Sequence, residues 1–330
     1  MGEFEIIQRF FKPKTAPAPA SQALSATNAV ALGIGDDCAL LRLAPGMELA
    51  VSSDMLVEGR HFFADVDPAA LGHKALAVNL SDLAAMGAEP LAFTLALALP
   101  PQLACDAAWL SAFAAGLHAL AAAHGCPLVG GDTTAGPLNI CITVLGQVPA
   151  AQALRRDGAR AGDDVWVSGA LGGARLALDA LRGQPTLPPA ALAAARQRLD
   201  WPTPRLALGR ALRGIATSCI DISDGLAGDL GHVLQASGVG AVLDVEAVAD
   251  LLAASLPRDS RLHYVLSGGD DYELAFTAAP AARAAAAAAA QASATPVTRI
   301  GQISAAAGLK LRDAQGRAVD NAYLSFDHFR

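Results

Sequence analysis

Short apolar runs alternate with helical segments along the whole chain, and this alternation is the strongest constraint on its fold. Runs such as Val30–Ile34, Leu91–Leu99 and Ser218–Ile222 have the length and content of β-strands. Longer segments between them carry helix start and stop signals, and one of these runs from Asp67 to about Met86. Since helices must cover the faces of such sheets, the pattern predicts an α/β or α+β fold.

The chain is long enough for two domains. Its 330 residues exceed the roughly 250–300 that one hydrophobic core usually supports. Around Pro149–Asp164 the sequence changes to turns rich in Arg, Gly and Asp. We therefore expect an N-terminal domain over residues 1–149 and a C-terminal α/β domain over residues 150–330. Within the first, Gly2–Phe11 predicts a short amphipathic helix and the Pro- and Ala-rich residues 12–28 predict a loop.

Composition excludes several classes of protein. The chain is 53% hydrophobic, too apolar for a disordered protein, and its net charge of −7 does not favour nucleic acid or an anionic membrane as a partner. No apolar run approaches the roughly 20 residues that span a bilayer. The five cysteines are an odd number without a CxxC pair, which is typical of reduced thiols in a cytoplasmic protein.

The acidic residues are unevenly chosen, because 24 are Asp and only 7 are Glu. Nine of those aspartates lie beside Gly or Ser in six short segments that we expect mostly at strand ends. These segments are IGDD (34–37), SSD (52–54), NLSD (79–82), GGDTT (130–134), DISDG (221–225) and SGGDD (267–271). Taken singly, each is typical of a turn or a helix N-cap.

Taken together, these segments indicate a site for hard cations. Converging carboxylates repel one another unless cations neutralise them, and Asp, Ser and Thr oxygens suit Mg²⁺ together with phosphate oxygens. The sequence has no GxxxxGK[ST] motif and none of the HRD and DFG signatures of protein kinases. GALGG (169–173) is either a phosphate cradle or a tight strand–helix turn. Phosphates would therefore be held mainly through metal ions and backbone N–H groups.

The segments occur from end to end of the chain in the order found in one family. They resemble thiamine-monophosphate kinase, of the superfamily that includes aminoimidazole ribonucleotide synthetase and selenophosphate synthetase. The matching stretches are GEFEIIQRF (2–10), LGIGDDCALL (32–41), SSDMLVEGRHF (52–62), KALAVNLSDLAAMGAEP (74–90), GGDTTAGPL (130–138), IDISDGLAGDLGH (220–232), LSGGDDYEL (266–274) and FDHF (326–329).

The resemblance implies an aminoimidazole ribonucleotide synthetase-like fold of two domains, α/β or α+β in class. The N-terminal sheet domain would bind ATP and Mg²⁺ and form a homodimer, with the active site between the two domains. The implied activity is a kinase that transfers the γ-phosphoryl group of ATP to thiamine monophosphate, giving thiamine diphosphate in the last step of its biosynthesis. ATP and thiamine monophosphate are thus the implied partners, and several Mg²⁺ ions the implied cofactors.

Three sets of site residues follow from the resemblance by motif position. The implied Mg²⁺ ligands are Asp37, Ser52, Ser53, Asp54, Asp82, Asp132, Asp221 and Asp224. The implied ATP contacts are Gly131, Asp132, Arg156 and Ser223, and the implied substrate contacts are His61, Asp270 and Phe326. Either Arg155 or Arg156 could face the site. No residue is implied as a general base, because a phosphate monoester is already anionic at neutral pH and transfer needs positioning and charge neutralisation.

Two positions depart from the family pattern. Ser53 stands where Thr is common, which keeps the hydroxyl oxygen. Asp270 stands where Glu is frequent, and the shorter side chain leaves a direct contact or a water-mediated one open.

The alternatives are another ATP-dependent synthetase of the same superfamily and a non-catalytic nucleotide- or metal-binding relative. The chain lacks the Lys of a DGVGTK-type segment, a C-terminal Cys and a Cys before position 38. These absences favour the thiamine-monophosphate kinase.

Overall fold

Helices and strands are mixed in both halves of the chain. The computed structural model describes residues 1–12, 29–321 and 323. The chain forms two compact units, of which unit 1 comprises Met1–Leu83 and Ala88–Ala151, and unit 2 comprises Ala84–Gly87 and Gln152–Arg330. The mixture agrees with the α/β or α+β class that the alternating pattern predicts. In the described part of the chain, none of the helices is both long and apolar enough to cross a bilayer.

Unit 1 is built on a four-stranded sheet with the order β3-β6-β4-β5, in which β4 and β5 are parallel and the other pairs antiparallel. A separate antiparallel pair joins β1 to β2. The strands are β1 (Val30–Leu32), β2 (Leu40–Leu41), β3 (Met47–Val57), β4 (Glu89–Leu99), β5 (Leu128–Ala135) and β6 (Asn139–Pro149). The helices are α1 (Glu3–Ile6), which continues as a π-helical segment over Ile7–Phe11, α2 (Pro68–Ala85), α3 (Pro101–Ala104) and α4 (Ala107–Ala123).

The two long helices of unit 1 begin at aspartates, as the sequence predicts. Asp67 Oδ1 accepts hydrogen bonds from Ala69 N–H at 2.7 Å and Ala70 N–H at 3.2 Å, and Asp106 caps α4 in the same way. Apolar side chains from α2, α4 and β4 form the fully buried core of the unit, among them Leu76, Leu80, Leu83, Phe93, Leu97, Phe113 and Leu117. The two long helices and the sheet of unit 1 thus share one hydrophobic core.

Unit 2 contains a seven-stranded sheet with the order β13-β12-β9-β11-β7-β10-β8, in which β9 and β12 are parallel and the other pairs antiparallel. Its strands are β7 (Asp164–Ser168), β8 (Ser218–Ile222), β9 (Gly240–Asp244), β10 (Glu273–Ala278), β11 (Val297–Ser304), β12 (Gly308–Arg312) and β13 (Ala318–Val319). Its helices are α5 (Gly173–Leu181), α6 (Pro189–Asp200), α7 (Leu206–Ala211), α8 (Leu226–Ser237), α9 (Val245–Ala249), α10 (Arg258–Ser267) and α11 (Arg283–Ala292).

The expected position of two acidic segments is wrong. SSD (52–54) and GGDTT (130–134) lie inside β3 and β5, not in turns at strand ends. Both strands are longer than their apolar runs, because the polar residues pair in the same ladder: Asp54 lies opposite Ile142 and Asp132 opposite Ala96. Their side chains are consequently held by sheet geometry.

Candidate active site

One group of predicted site residues lies where β3 passes α2 in unit 1. Ser52 and Asp54 point to the same face of β3 because side chains alternate along a strand. The Ser52 hydroxyl donates a short hydrogen bond to Asp82 Oδ2 of α2. Asp54 N–H donates to Asn79 Oδ1 at 3.1 Å, and buried Asn79 is itself held by Ala75 O. The structure thus brings Ser52 and Asp82 into contact and places Asp54 on the same face of β3, with side-chain oxygen atoms of the kind that suit a hard cation.

Ser53 is not brought into this group. Its side chain lies on the opposite face of β3, where Oγ is 2.9 Å from Thr143 Oγ1 and donates to Ile142 O at 3.2 Å. The cause is the two-residue period of the strand, which separates neighbouring side chains. The hydroxyl oxygen that the resemblance implies as a metal ligand is therefore a cross-strand contact to β6.

A second group lines a cleft of about 580 Å³ in unit 1. The residues that line it include Asp36 and Asp37 and, on β5, exposed Asp132. Apolar residues line it as well, among them Ile7, Phe11, Leu95 and Leu128. Such a cleft accommodates a ligand with one apolar end and one anionic end, provided that cations accompany the anionic end.

Gly131 forms part of this cleft and cannot be replaced by a larger residue without moving β4. Its φ is +143°, and a Cβ atom would lie 1.8 Å from Leu95 O. The backbone of β5 therefore lies close to β4, beside Asp132, with no side chain between. The close pairing of β4 with β5 at the predicted ATP-binding residue therefore requires glycine.

His61 lies in the turn after β3. Its Nδ1 accepts a hydrogen bond from Val57 N–H at 2.9 Å, so the neutral ring carries its proton on Nε2. Phe326, the third predicted substrate contact, lies outside the described residues.

In unit 2, the turn between β8 and α8 carries three of the predicted residues. Asp221 is buried at the end of β8, and Ser223 and Asp224 follow in the turn. Their backbone N–H groups both donate to Oδ2 of Asp229, at 3.1 Å and 3.0 Å. Burial raises the pKa of Asp229 to about 7, against the opposing effect of these hydrogen bonds and of the Arg156 charge.

The loop that carries Asp270 packs directly on this turn. Asp270 N–H donates to Ser223 O and Tyr272 N–H to Ile222 O, each at 2.8 Å. A Cβ atom on Gly269 would lie 2.2 Å from Ser223 O. Asp270 and Tyr272 both have positive φ, +65° and +51°, and the Tyr272 hydroxyl donates to Asp270 Oδ1 at 3.1 Å. The two predicted segments therefore form one packed pair of loops.

The two adjacent arginines have different surroundings. Arg155 forms a two-bond ion pair with Asp157, at 2.8 Å and 2.6 Å, on the exposed surface. The charge of Arg156 instead acts on the buried carboxyl group of Asp229. Arg156 is therefore the arginine whose charge reaches the carboxyl group that binds the Ser223 and Asp224 amides.

GALGG (169–173) forms a tight turn between β7 and α5. Three of its five backbone N–H groups have protein acceptors: Gly169 donates to Pro296 O, Leu171 to Leu251 O, and Gly172 to Asp271 Oδ2 at 2.8 Å. Burial raises the pKa of Asp271 to about 8. These contacts favour the tight strand–helix turn over the phosphate cradle, because groups already bonded to the protein are not available to a phosphate.

Asp229 is the residue of this region that sequence reasoning missed. It lies in the matched segment IDISDGLAGDLGH (220–232), but its position inside a helix hides its contact with the preceding turn. The available signal was an acid in the first turn of a helix that follows a DG turn, since such acids often bond to N–H groups before the helix.

Comparison with known proteins identifies the family. Residues 35–148 match the model for the N-terminal domain of AIR synthase related protein, and residues 160–314 the model for its C-terminal domain. A thiamine-monophosphate kinase from Salmonella typhimurium is 44% identical over 99% of this chain and 98% of its own length. These matches confirm the family and the fold expected from the sequence motifs.

Two solved structures have the same architecture. The crystal structure of thiamine-monophosphate kinase from Stenotrophomonas maltophilia superposes with a TM-score of 0.81 and 45% identity, covering 88% of this chain and 93% of that one. The complex of AaThiL with AMPPCP and TMP gives a TM-score of 0.71 at 29% identity, with 87% and 89% covered. By sequence and by fold, this chain belongs to the thiamine-monophosphate kinase family.

Proposed function

We propose that this chain, a kinase by family, uses ATP to phosphorylate thiamine monophosphate, giving thiamine diphosphate and ADP by direct in-line transfer. The observation that carries the proposal is the cleft of unit 1, which is lined both by Asp37 and Asp132 and by apolar side chains. The apolar side chains suit a nucleoside and the carboxylates suit metal-bound phosphates. The relative AaThiL, crystallised with AMPPCP and TMP, supports the same pair of ligands.

Mg²⁺ is the cation that the donor chemistry fits best. The predicted ligands are carboxylate and hydroxyl oxygens, and Mg²⁺ takes one or two carboxylates together with substrate phosphates and several waters. We assign several Mg²⁺ ions to two places in unit 1 and one in unit 2. In unit 1 the ligands are Asp37 and Asp132 of the cleft, and Ser52, Asp54 and Asp82 where β3 passes α2. In unit 2 they are Asp221 and Asp224 at the β8–α8 turn.

The charge of bound Mg²⁺ neutralises phosphate oxygens, and the chain's own residues orient the two substrates. Gly131 lines the cleft, and its main chain would contact the ATP phosphates. Arg156 and Ser223 contribute a cation and a hydroxyl to the nucleotide. His61 donates through Nε2–H to the thiamine substrate and Asp270 attracts its cationic ring. The acceptor phosphate is already anionic, so no side chain has to remove a proton.

A second copy of this chain is the proposed protein partner, forming a homodimer through the sheet of unit 1. The outer face of β3 exposes large apolar side chains: Leu49 is 49% exposed, Val51 57% and Met55 52%. Apolar side chains adjacent on one sheet face are costly in water and are typical of an interface. The five free thiols and the use of ATP support a cytoplasmic location.

The test is to incubate the purified chain with ATP, MgCl₂ and thiamine monophosphate and to quantify thiamine diphosphate and ADP. We expect equal amounts of both, and no product with EDTA or with unphosphorylated thiamine as acceptor. A folded chain that binds Mg²⁺–nucleotide but forms no thiamine diphosphate would instead be a non-catalytic relative. ADP formed only with a substrate of another superfamily member would indicate a different synthetase.

A further inference from the structure

Asp229 makes an unusual pair of contacts in the first turn of α8. Its side chain is buried, with 4% exposed, and a single oxygen, Oδ2, accepts hydrogen bonds from two consecutive backbone N–H groups. The donors are Ser223 at 3.1 Å and Asp224 at 3.0 Å. A carboxylate that binds adjacent amides fixes the orientation of the peptide unit between them.

This arrangement differs from an ordinary helix cap. Asp106 and Asp244 stand before their helices and accept N–H groups two and three residues later, within the helix. Asp229 stands inside its helix and binds N–H groups five and six residues earlier, outside it. The N-cap residue of α8 is Gly225, which has no side chain that could cap the helix. Asp229 therefore orders the preceding turn.

The turn so held is connected to the other predicted site residues of unit 2. Ser223 O accepts from Asp270 N–H at 2.8 Å, which joins the turn to the loop of the substrate-binding acid. At the far end of α8, Ser237 Oγ donates to Arg156 O at 2.8 Å. One helix thus holds the main chain at Arg156 and at Ser223–Asp224.

We propose that Asp229 is a positioning residue of the phosphoryl-transfer site, which acts by fixing the Ser223–Asp224 peptide for nucleotide and Mg²⁺. It touches neither substrate. The two hydrogen bonds that its carboxylate accepts from backbone N–H groups set the direction of the Ser223 and Asp224 side chains. The proposal rests on the proposed function, because that function assigns these two residues to the nucleotide and the metal.

The test compares one substitution that keeps the acceptor oxygen with one that removes it. Asp229→Asn keeps an oxygen that can accept both N–H groups, whereas Asp229→Ala removes it. For Asp229→Ala we expect the KM for Mg²⁺–ATP and the half-activating Mg²⁺ concentration to rise about tenfold. For Asp229→Asn we expect both values within about threefold of the parent chain. Amide exchange at Ser223 and Asp224 should accelerate in Asp229→Ala only.

Asp244→Ala is the matched control for a purely structural effect. Asp244 also accepts two backbone N–H groups, at 3.0 Å and 3.3 Å, in the same unit. It should lower the Tm while leaving both kinetic values unchanged. If Asp229→Ala behaves as Asp244→Ala does, the proposal is overturned. If Asp229→Asn is as impaired as Asp229→Ala, the carboxylate charge acts directly and the positioning role is wrong.

Calorimetry with Mg²⁺ and a non-hydrolysable ATP analogue separates this inference from the proposed function. Should the parent chain form no thiamine diphosphate, the proposed function fails, while analogue affinity still reports the state of the turn. We expect that affinity to fall about tenfold in Asp229→Ala and to be kept in Asp229→Asn. Equal affinity in all variants would contradict the positioning role.

Discussion

The hydroxyl of Ser52 on β3 donates a hydrogen bond to the carboxylate of Asp82 on α2, which links the sheet of unit 1 to its long helix. Ser53, the next residue, uses its hydroxyl for Thr143 on the other face of β3. The hydroxyl groups of two adjacent serines therefore have separate roles. This separation allows the proposed metal site to be tested with a pair of minimal substitutions.

We expect Ser52→Ala to lower kcat/KM at least about tenfold, because Asp82 loses the donor that orients it and the site loses an oxygen. Ser53→Ala should change kcat/KM less than about threefold, since its hydroxyl faces away. Both values are measured as a function of Mg²⁺ concentration. Equal losses in the two variants would contradict the assignment of Ser52 and not Ser53 to the metal site.

Asp132→Asn should lower kcat about a hundredfold while the Tm changes little, because Asp132 is exposed on β5 and its proposed role is charge neutralisation at the phosphates. Kinetics and thermal unfolding of the same preparation give both numbers. Asp259→Asn, at a side chain 82% exposed in unit 2, is the control and should change neither. Unchanged turnover in Asp132→Asn would remove Asp132 from the metal ligands.

The sequence predicts much of the fold because local signals and tertiary structure agree. The Asp caps of α2 and α4 and the apolar strand β8 lie where their patterns place them, and Ser218–Ile222 is predicted with its observed bounds. Helix α10 is missed, because Arg258–Ser267 has few apolar residues and is held by packing of Leu262, Val265 and Leu266. Strand β13 has only two residues, Ala318–Val319, and is too short to show a period.

The candidate site could be predicted from sequence as a set of residues but not as an arrangement. Motif position gives Ser52 and Ser53 equal weight, and only the pairing of β3 with β6 shows that their hydroxyls diverge. Likewise, the bond from Asp229 to the turn before its helix depends on how α8 leaves β8. Such contacts depend on which strands pair and on the path of the chain between elements, and hydrophobic periodicity and motif spacing do not predict either.

Two substitutions of Asp270 should distinguish the effect of its charge on substrate binding from the effect of its side-chain length. The backbone φ of +65° is one that Asp tolerates better than most residues, which explains the shorter acid at this position. We expect Asp270→Ala to raise the KM for thiamine monophosphate about tenfold without changing the KM for ATP. Asp270→Glu should keep that KM within about threefold and lower the Tm slightly. Loss of all activity in Asp270→Glu would mean that the loop requires the shorter acid.

The buried carboxylate of Asp164 should make the stability of the chain depend on pH. Hydrogen bonds from Arg283, at 2.6 Å and 2.8 Å, hold its pKa below the usual value, against the opposing effect of burial. Because the folded pKa is lowered, this stabilisation is present above the unfolded pKa of about 4 and is lost as the pH falls through the folded value.

Asp164→Asn should therefore lower the free energy of unfolding by about 1–2 kcal/mol at pH 7, with Arg283 half-exposed and partly screened. The difference from the parent chain should shrink as the pH falls from 5 to 3, in urea titrations at each pH. Asp157→Asn removes the exposed Arg155 pair and is the control, for which we expect no resolvable change. A constant difference at all pH values would contradict an ionised Asp164.

The exposed apolar face of β3 should disappear into a dimer interface. Val51→Asp places a charge at the centre of that face, where burial against a second copy would cost more than the dimer gains. In light scattering we expect the parent chain to have the mass of a dimer, twice the 33.4 kDa of one chain. We expect Val51→Asp to have the mass of a single chain. Leu181→Asp, at an apolar side chain 38% exposed on α5 of unit 2, is the matched control and should remain dimeric. A dimeric Val51→Asp variant would place the interface elsewhere.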